Sequence, residues 1–207
     1  MAIKNISDAF VAAFGQEAPD QKPPSGDAIE LLKADHRKVE KLFEEVLAEK
    51  SSALTGKQSK IDQILSELTL HAKVEETLVY PATFQKTKRD TGERLEVLEA
   101  IEEHGAMKDL MRKISRAPRG DESLKAKVQV LCEIVSHHVK EEETTFFPEV
   151  KRLLGEDRLE KLGTEIVRLK ARSKRAMPKA NKKQTHAKQT NPKQTNGKPK
   201  GSSRAKS

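Results

Sequence analysis

The sequence predicts an all-α fold, an up-down-up-down bundle of four helices. Four long segments place apolar residues at every third or fourth position, which is the spacing of one helix face. Gly and Pro are absent from most of these segments, and no run of alternating β-branched residues is long enough for a strand. The connections between the segments are short, so neighbouring helices must run antiparallel.

The first two helices follow a lead, residues 1–26, that is rich in turn-forming residues and is expected to be flexible. Helix 1 is predicted over residues 28–50, and Asp27 with Glu30 forms a capping box at its start. Helix 2 is predicted from about Lys57 to Tyr80. Pro81 should end or kink it, because proline disfavours a helical residue before it.

Helix 3 is predicted over residues 93–115, and the Pro118 and Gly120 that follow should stop it. Helix 4 should begin near Ser123 and reach about Phe147. Residues 27–155 therefore form the predicted bundle.

A fifth, accessory helix is predicted within residues 156–175, because Leu159, Leu162, Ile166 and Leu169 recur at helical spacing. We expect this helix to pack on the bundle.

The net charge of +8 hides an acidic domain with a basic end. From Ile166 to Ser207 the chain has 14 Lys and Arg and no acid, which leaves 26 basic and 32 acidic residues before it. Residues 176–207 contain a five-residue polar repeat that cannot bury a core, so we expect a disordered Lys-rich tail. The tail is either a solubilising terminus or a weak, sequence-independent contact for nucleic acid or another polyanion.

Two features bear on location. No stretch approaches the apolar length of a membrane span, so no membrane association is expected. Cys132 is the one cysteine and cannot form an internal disulfide, which favours a reducing, cytoplasmic compartment. Nothing in the sequence sets the oligomeric state.

An internal duplication is the most informative pattern. The segment from His71 through Glu75 to a Pro ten residues after the His is echoed by a segment from His138 through Glu142 to an equivalent Pro. A lone histidine precedes each copy at a similar distance, 35 residues for the first and 34 for the second. These two histidines are His36 and His104.

All six residues lie on the apolar stripes of their helices, where a bundle core should be. Burying so many ionisable groups in one layer is costly unless they compensate one another. Metal ions cancel carboxylate charge and accept imidazole lone pairs, so the pattern predicts a metal site for iron or another first-row metal. The ferritin-like alternative needs Glu-x-x-His pairs, and the chain has none at matching positions.

The pattern His…His-x-x-x-Glu…His…His-x-x-x-Glu resembles that of the hemerythrin-like, or HHE cation-binding, family over about residues 27–155. The resemblance implies a four-helix bundle that holds two non-haem iron ions with an oxo or hydroxo bridge. Glu75 and Glu142 would bridge the irons. The resemblance makes the remaining ligands terminal histidines: His36, His71, His104 and His138.

Two departures distinguish this chain from the oxygen carriers that it resembles. Those proteins have a further histidine where this chain has Lys108, and an Asp at a longer spacing where this chain has Glu142. An ammonium group has no lone pair for a metal. The resemblance therefore favours binding or sensing of O2, NO or peroxide over reversible oxygen carriage. Enzymatic turnover of peroxide or NO, and iron storage or buffering, are the alternatives.

Further residues are candidates for contacts around the centre. Glu40 and Lys108 occupy equivalent positions in the duplication, so Glu40 is a possible additional ligand, a partner of Lys108 or a surface residue, and Lys108 is expected to face the core. Glu76 and Glu143 lie one residue off the ligand positions. A solvated or flanking role is favoured for them, and hydrogen bonding to a ligand residue is the alternative. Tyr80 is expected to close one end of the bundle as an aromatic plug, and a redox-active or hydrogen-bonding neighbour of the centre is the alternative.

Overall fold

The structure is a computed structural model that describes residues 26–48, 54, 56–89, 91–118 and 120–176. Every regular element in these ranges is helical, so the all-α prediction is confirmed. The predictions for the flexible lead and the Lys-rich tail fall on residues outside the described ranges. The α-helices are α1 Ala28–Leu47, α2 Gln58–Val74, α3 Tyr80–Phe84, α4 Gly92–Ser115, α5 Leu124–Glu141, α6 Phe147–Leu154 and α7 Glu156–Ala176.

Helix α1 begins where its sequence predicts. The side chain of Asp27 accepts a hydrogen bond from the backbone N–H of Glu30 at 3.0 Å, which satisfies one of the free donors of the first turn. The helix ends at Leu47, three residues earlier than expected.

Neither long helix ends at its proline, which corrects the expected boundaries. A π segment over Glu75–Val79 joins α2 to α3, and a second over Glu142–Phe146 joins α5 to α6. In each segment a backbone N–H bonds the carbonyl five residues back, from Tyr80 to Glu75 and from Phe147 to Glu142. The register shift puts each proline in the first turn of the next α-helix, where a missing N–H breaks no hydrogen bond.

The bundle closes as a ring of four long helices. Helix α1 packs against α2 and α5, while α4 packs against α5 and α2. The accessory helix α7 lies on α1 and α2 and buries Leu159, Leu162 and Ile166 completely. None of the helices in the described part of the chain is both long and apolar enough to cross a membrane.

Two apolar clusters fill the bundle, one toward each end. The first includes Phe43, Ile64 and Leu131, and the second includes Leu32 and Phe147 together with the buried face of α7. A layer of buried polar side chains separates the two clusters. That layer contains the duplicated histidines and glutamates.

Candidate metal centre

The structure brings all six predicted ligand residues into one buried layer. Two belong to α1 and α4, two to the ends of α2 and α5, and two begin the π segments. None is more than 5% exposed, so water cannot solvate these side chains. They are His36, His71, Glu75, His104, His138 and Glu142.

The four imidazoles form two pairs. The Nε2 atoms of His36 and His71 are 3.1 Å apart, and those of His104 and His138 are also 3.1 Å apart. Each pair joins a helix of the bundle to the next helix along the chain. The two pairs are related by the duplication in the sequence.

The two glutamates lie between the histidine pairs. Glu75 Oε2 is 3.1 Å from Nε2 of His71 and 3.4 Å from Nε2 of His104. Glu142 Oε2 is 3.4 Å from Nε2 of His36 and 3.5 Å from that of His138. Each carboxylate therefore contacts one histidine of each pair, which is where a group shared by two metal ions must be.

A ring of four further carboxylates surrounds the layer. Each carboxylate accepts a hydrogen bond from Nδ1 of a histidine on the neighbouring helix. The four hydrogen bonds therefore link the four long helices in a closed ring. Such partners hold the proton on Nδ1 and leave the Nε2 lone pair facing inward. The pairs are Asp35 with His71 at 3.5 Å, Glu76 with His104 at 2.9 Å, Glu103 with His138 at 2.6 Å and Glu143 with His36 at 2.8 Å.

The inner side of the layer is unsatisfied within the described residues. Neither oxygen of Glu75 accepts a hydrogen bond there, and Oε2 of Glu142 also has no donor. Buried carboxylate oxygens without hydrogen-bond donors are costly, and four neutral imidazoles would turn their Nε2 lone pairs toward one another at close range. Metal cations supply what both groups lack. The side chains therefore fit a metal pair: one group of possible ligands is His36, His71, Glu75 and Glu142, and a second is Glu75, His104 and His138.

Protons and cations compete for this site. Burial lowers the pKa of His71, but Glu75 and Asp35 outweigh it and hold that pKa well above the ordinary histidine value. Burial also opposes protonation of His138, yet Glu142 and Glu103 raise its pKa to about 9. Metal ligation needs neutral imidazole, so loading the site must release protons.

Tyr80 does more than plug the bundle. Its side chain is buried, and its hydroxyl donates to Oε1 of Glu142 at 3.0 Å. Burial and the charges of Glu142 and Glu75 raise its pKa well above that of free tyrosine, so the hydroxyl keeps its proton. The equivalent position in the second half is Phe147, whose ring stacks on His36 at 5.8 Å between centroids.

Glu40 and Lys108 do not pair with each other. Glu40 lies 3.5 Å from Arg37 and belongs to neither group of possible ligands. Lys108 does not place its ammonium in the core: the side chain is 41% exposed, and its Nζ donates to Glu76 at 2.5 Å. For Glu76 and Glu143 the structure shows the alternative role and not the favoured one, because each accepts a hydrogen bond from a histidine.

Two residues of the outer ring were missed from the sequence. Asp35 and Glu103 each directly precede a duplicated histidine, so an acid occupies the same place in both copies. That repetition was the available signal. Neighbouring residues of a helix point about 100° apart, so each acid points away from the histidine that follows it and toward the next helix. The apolar periodicity does not show which helix that is.

A small cavity adjoins the four histidines on the side away from the glutamates. Its volume is about 20 Å³, and a single water needs roughly 10–15 Å³. Apart from the histidines, Asp35 and Lys108, its walls are apolar, and they include Val39, Leu68, Met107, Met111, Val135 and Val139.

Comparisons with known proteins agree with this geometry. The sequence model of the Hemerythrin HHE cation binding domain matches residues 27–150. The structure is similar to the crystal structure of a hemerythrin HHE cation-binding domain-containing protein from Mycobacterium kansasii, with a TM-score of 0.57 and 24% identity over 70% of this chain and 86% of that one. This second likeness supports the fold alone.

A curated relative from Nostoc sp. (strain PCC 7120 / SAG 25.82 / UTEX 2576) bears the name DNA nickase. It is 30% identical over 171 residues, which are 83% of this chain but 46% of the relative. The chain thus spans less than half the length of that relative. On the family match over most of its described length, the chain belongs to the hemerythrin HHE cation-binding domain family.

Proposed function

We propose that the buried layer binds two iron ions and that the metal pair binds a small ligand, O2, NO or peroxide. The observation that carries the metal pair is the position of Glu75 and Glu142, each between two histidine pairs and each with an oxygen that no described group satisfies. When bound, iron supplies the redox-active, ligand-binding chemistry that the side chains lack.

The side chains of the protein hold and orient that pair. His36 with His71 and His104 with His138 would supply one nitrogen each, while Glu75 and Glu142 would bridge. The outer carboxylates fix the imidazole rings. Tyr80 holds Glu142 in place through its hydroxyl, whereas no described residue donates a hydrogen bond to the carboxylate of Glu75.

The apolar cavity beside the histidines supports a diatomic molecule or peroxide as the ligand. It has room for about one such molecule, and most of its lining side chains are apolar. The small volume of this cavity argues against iron storage, because a mineral core has no space among the described helices. The exposed position of Lys108, bonded to Glu76, leaves the place of the oxygen carriers' extra histidine without a metal ligand. Sensing or turnover is therefore favoured over reversible oxygen carriage.

Anaerobic titration with NO, followed by optical spectroscopy, tests ligand binding. The wild-type iron protein should show a new band that saturates, and added peroxide should either perturb the aerobic spectrum or be consumed. Rapid peroxide loss identifies the enzyme alternative. Spectra that neither NO nor peroxide changes contradict the proposal.

Val135→Leu tests whether the cavity is the ligand site. The added methylene enters the cavity wall, so NO affinity should fall about tenfold while iron content is kept. Val130→Leu is the matched control, since Val130 lies on the same helix and is exposed. Equal NO affinity in the two variants would place the ligand elsewhere.

We also propose weak polyanion binding through the Lys-rich tail. The name of the Nostoc relative links one similar protein to DNA, and the tail offers positive charge without acids. DNA cannot reach the histidines, because the layer is buried and its cavity is far smaller than a nucleotide.

The lack of a secretion-linked disulfide, with Cys132 free and buried, supports a cytoplasmic location.

Removal of residues 177–207 tests the tail. Full-length protein should bind duplex DNA at low salt, and its affinity should fall steeply as the salt concentration rises. The shortened protein should not bind DNA. Both should keep the same iron content. Equal DNA binding by the two proteins would reduce the tail to a solubilising terminus. Incubation with supercoiled plasmid in the same assay reports any nicking.

A further inference from the structure

The duplication allows the two sides of the centre to be compared directly. On one side Asp35 accepts from His71, and helix α7 covers it and donates Lys170 Nζ to the same carboxylate. On the equivalent side Glu103 accepts from His138. Helix α7 packs on α1 and α2, so this second side, between α4 and α5, is left open.

The open side contains a pocket with an acidic lining. Its volume is about 230 Å³, and no lysine or arginine among the described residues lines it. We call it the acidic vestibule, formed by Glu96, Glu99, Glu103 and Glu141.

The vestibule leads from the surface to the candidate centre. Its lining includes His138 and Glu142. Oε2 of Glu142 lies on the inner side, 3.4 Å from Nε2 of His36 and 3.5 Å from that of His138, and accepts no hydrogen bond within the described chain. Its outer part adjoins a wider depression that shares Glu99, Glu103 and Glu141 and adds His137. There the ligand atoms of Glu103, His137 and Glu141 lie within 4.8 Å of one another, close enough to hold one ion.

The electrostatics of the vestibule favour a cation. Oε2 of Glu96 is buried and accepts no hydrogen bond from described groups. Burial and the neighbouring carboxylates of Glu149, Glu93 and Glu99 raise the pKa of Glu96. Arg152 pairs with Glu149 and Glu93 but does not line the vestibule. A concave acidic surface concentrates cations and speeds their association.

We propose that the acidic vestibule is the uptake route of the centre, where a hydrated divalent cation is captured before it passes to His138 and Glu142. The inference rests on the proposed metal pair. At the surface, carboxylates and an imidazole can replace part of the hydration shell of the ion. Glu142, at the inner end of the vestibule, then binds the ion. Water ligands leave the ion as protein groups replace them, imidazoles that carry an Nε2 proton give it up to water as the ion binds, and no electron is transferred.

The chain carries its own probe for this step. It has one tyrosine and no tryptophan, and the hydroxyl of that tyrosine, Tyr80, lies 3.0 Å from Glu142. An open-shell ion bound beside the phenol quenches its fluorescence. Full-length protein freed of metal by chelation, with its helicity checked by circular dichroism, is mixed anaerobically with Fe²⁺ or Co²⁺, and the quenching rate is followed.

The test variant is Glu99→Gln with Glu141→Gln, which keeps shape and removes two vestibule charges. The control is Glu133→Gln with Glu160→Gln, an equal charge change at exposed positions outside the vestibule. We expect uptake by the test variant to slow about tenfold at low ionic strength, and the difference to shrink in concentrated salt. The control should match the wild type, and all three should reach the same final metal content.

Equal uptake rates in test and control variants would overturn the vestibule as the route while leaving the metal pair intact. A wild-type protein that takes up no metal would overturn both. A slow test variant whose rate shows no salt dependence would also overturn the proposal, because charge would not be the cause.

Discussion

The first half of the bundle, α1 to α3, is covered at its metal layer, whereas the second half, α4 to α6, is open at the equivalent place. Helix α7 seals the first with Lys170 on Asp35, and the second presents Glu103 in an acidic pocket. Beside the shared glutamates the halves also differ, with Tyr80 in the first at the position of Phe147 in the second. What is duplicated is the set of possible ligands and their supports. What is not duplicated controls access and makes the two carboxylates inequivalent.

The largest effect should come from removing a shared carboxylate. Because each glutamate contacts both histidine pairs, Glu75→Ala and Glu142→Ala should each lose both metal ions. Metal analysis of the purified variants checks this. Retention of one ion per chain by either variant would mean that the halves bind their metals independently.

Loss of metal should appear in stability as well. A ligand at one hundred times its dissociation constant stabilises a protein by about 2.7 kcal/mol. Metal-loaded wild type should therefore resist urea more than Glu75→Ala by at least about that amount. After chelation the two should be alike, because the cavity left by alanine offsets the removal of an unsatisfied buried carboxylate. A large difference that persists after chelation would assign Glu75 a purely structural role.

Tyr80→Phe should make the two halves alike. It removes a buried hydrogen bond to a charged group, which costs about 1.5–3 kcal/mol. Urea unfolding of the metal-loaded protein measures the loss, and metal content should stay at the wild-type value. Unchanged stability would show that Glu142 gains nothing from the hydroxyl.

The two lysines that pair with outer carboxylates should contribute different amounts to the free energy of unfolding. Lys170 is 17% exposed in its pair with Asp35, so Lys170→Met should cost about 1–2 kcal/mol. Lys108 is 41% exposed in its pair with Glu76, and Lys108→Met should cost less than about 1 kcal/mol. Urea unfolding of each variant measures its loss of stability. Equal costs would contradict the role given to α7 as a cover.

The smallest effect concerns Cys132, in the core of the second half. Burial raises the pKa of its thiol to about 12, so almost no thiolate exists at pH 8. Iodoacetamide should therefore label Cys132 only as fast as the protein unfolds. Rapid labelling of folded protein would show that the second half opens locally.

The sequence predicts much of this arrangement because its signals are periodic or repeated. Apolar spacing located the long helices, and the duplication located six residues that the structure brings together. The π segments are not predicted, because a proline ten residues after a histidine indicates that the helix ends or kinks and does not by itself indicate a shift of the hydrogen bonds before it. Asp35 and Glu103 were missed because the contact of each lies on a neighbouring helix. The Glu40–Lys108 pairing failed since Arg37 and Glu76 are nearer partners.

Iron content per chain tests the central claim most directly. Protein purified aerobically after expression in iron-rich medium is analysed for iron and zinc, with protein concentration from amino-acid analysis because the chain has no tryptophan. The two histidine pairs with their shared glutamates predict two iron atoms per chain. One iron per chain, or one zinc in its place, would contradict the paired site.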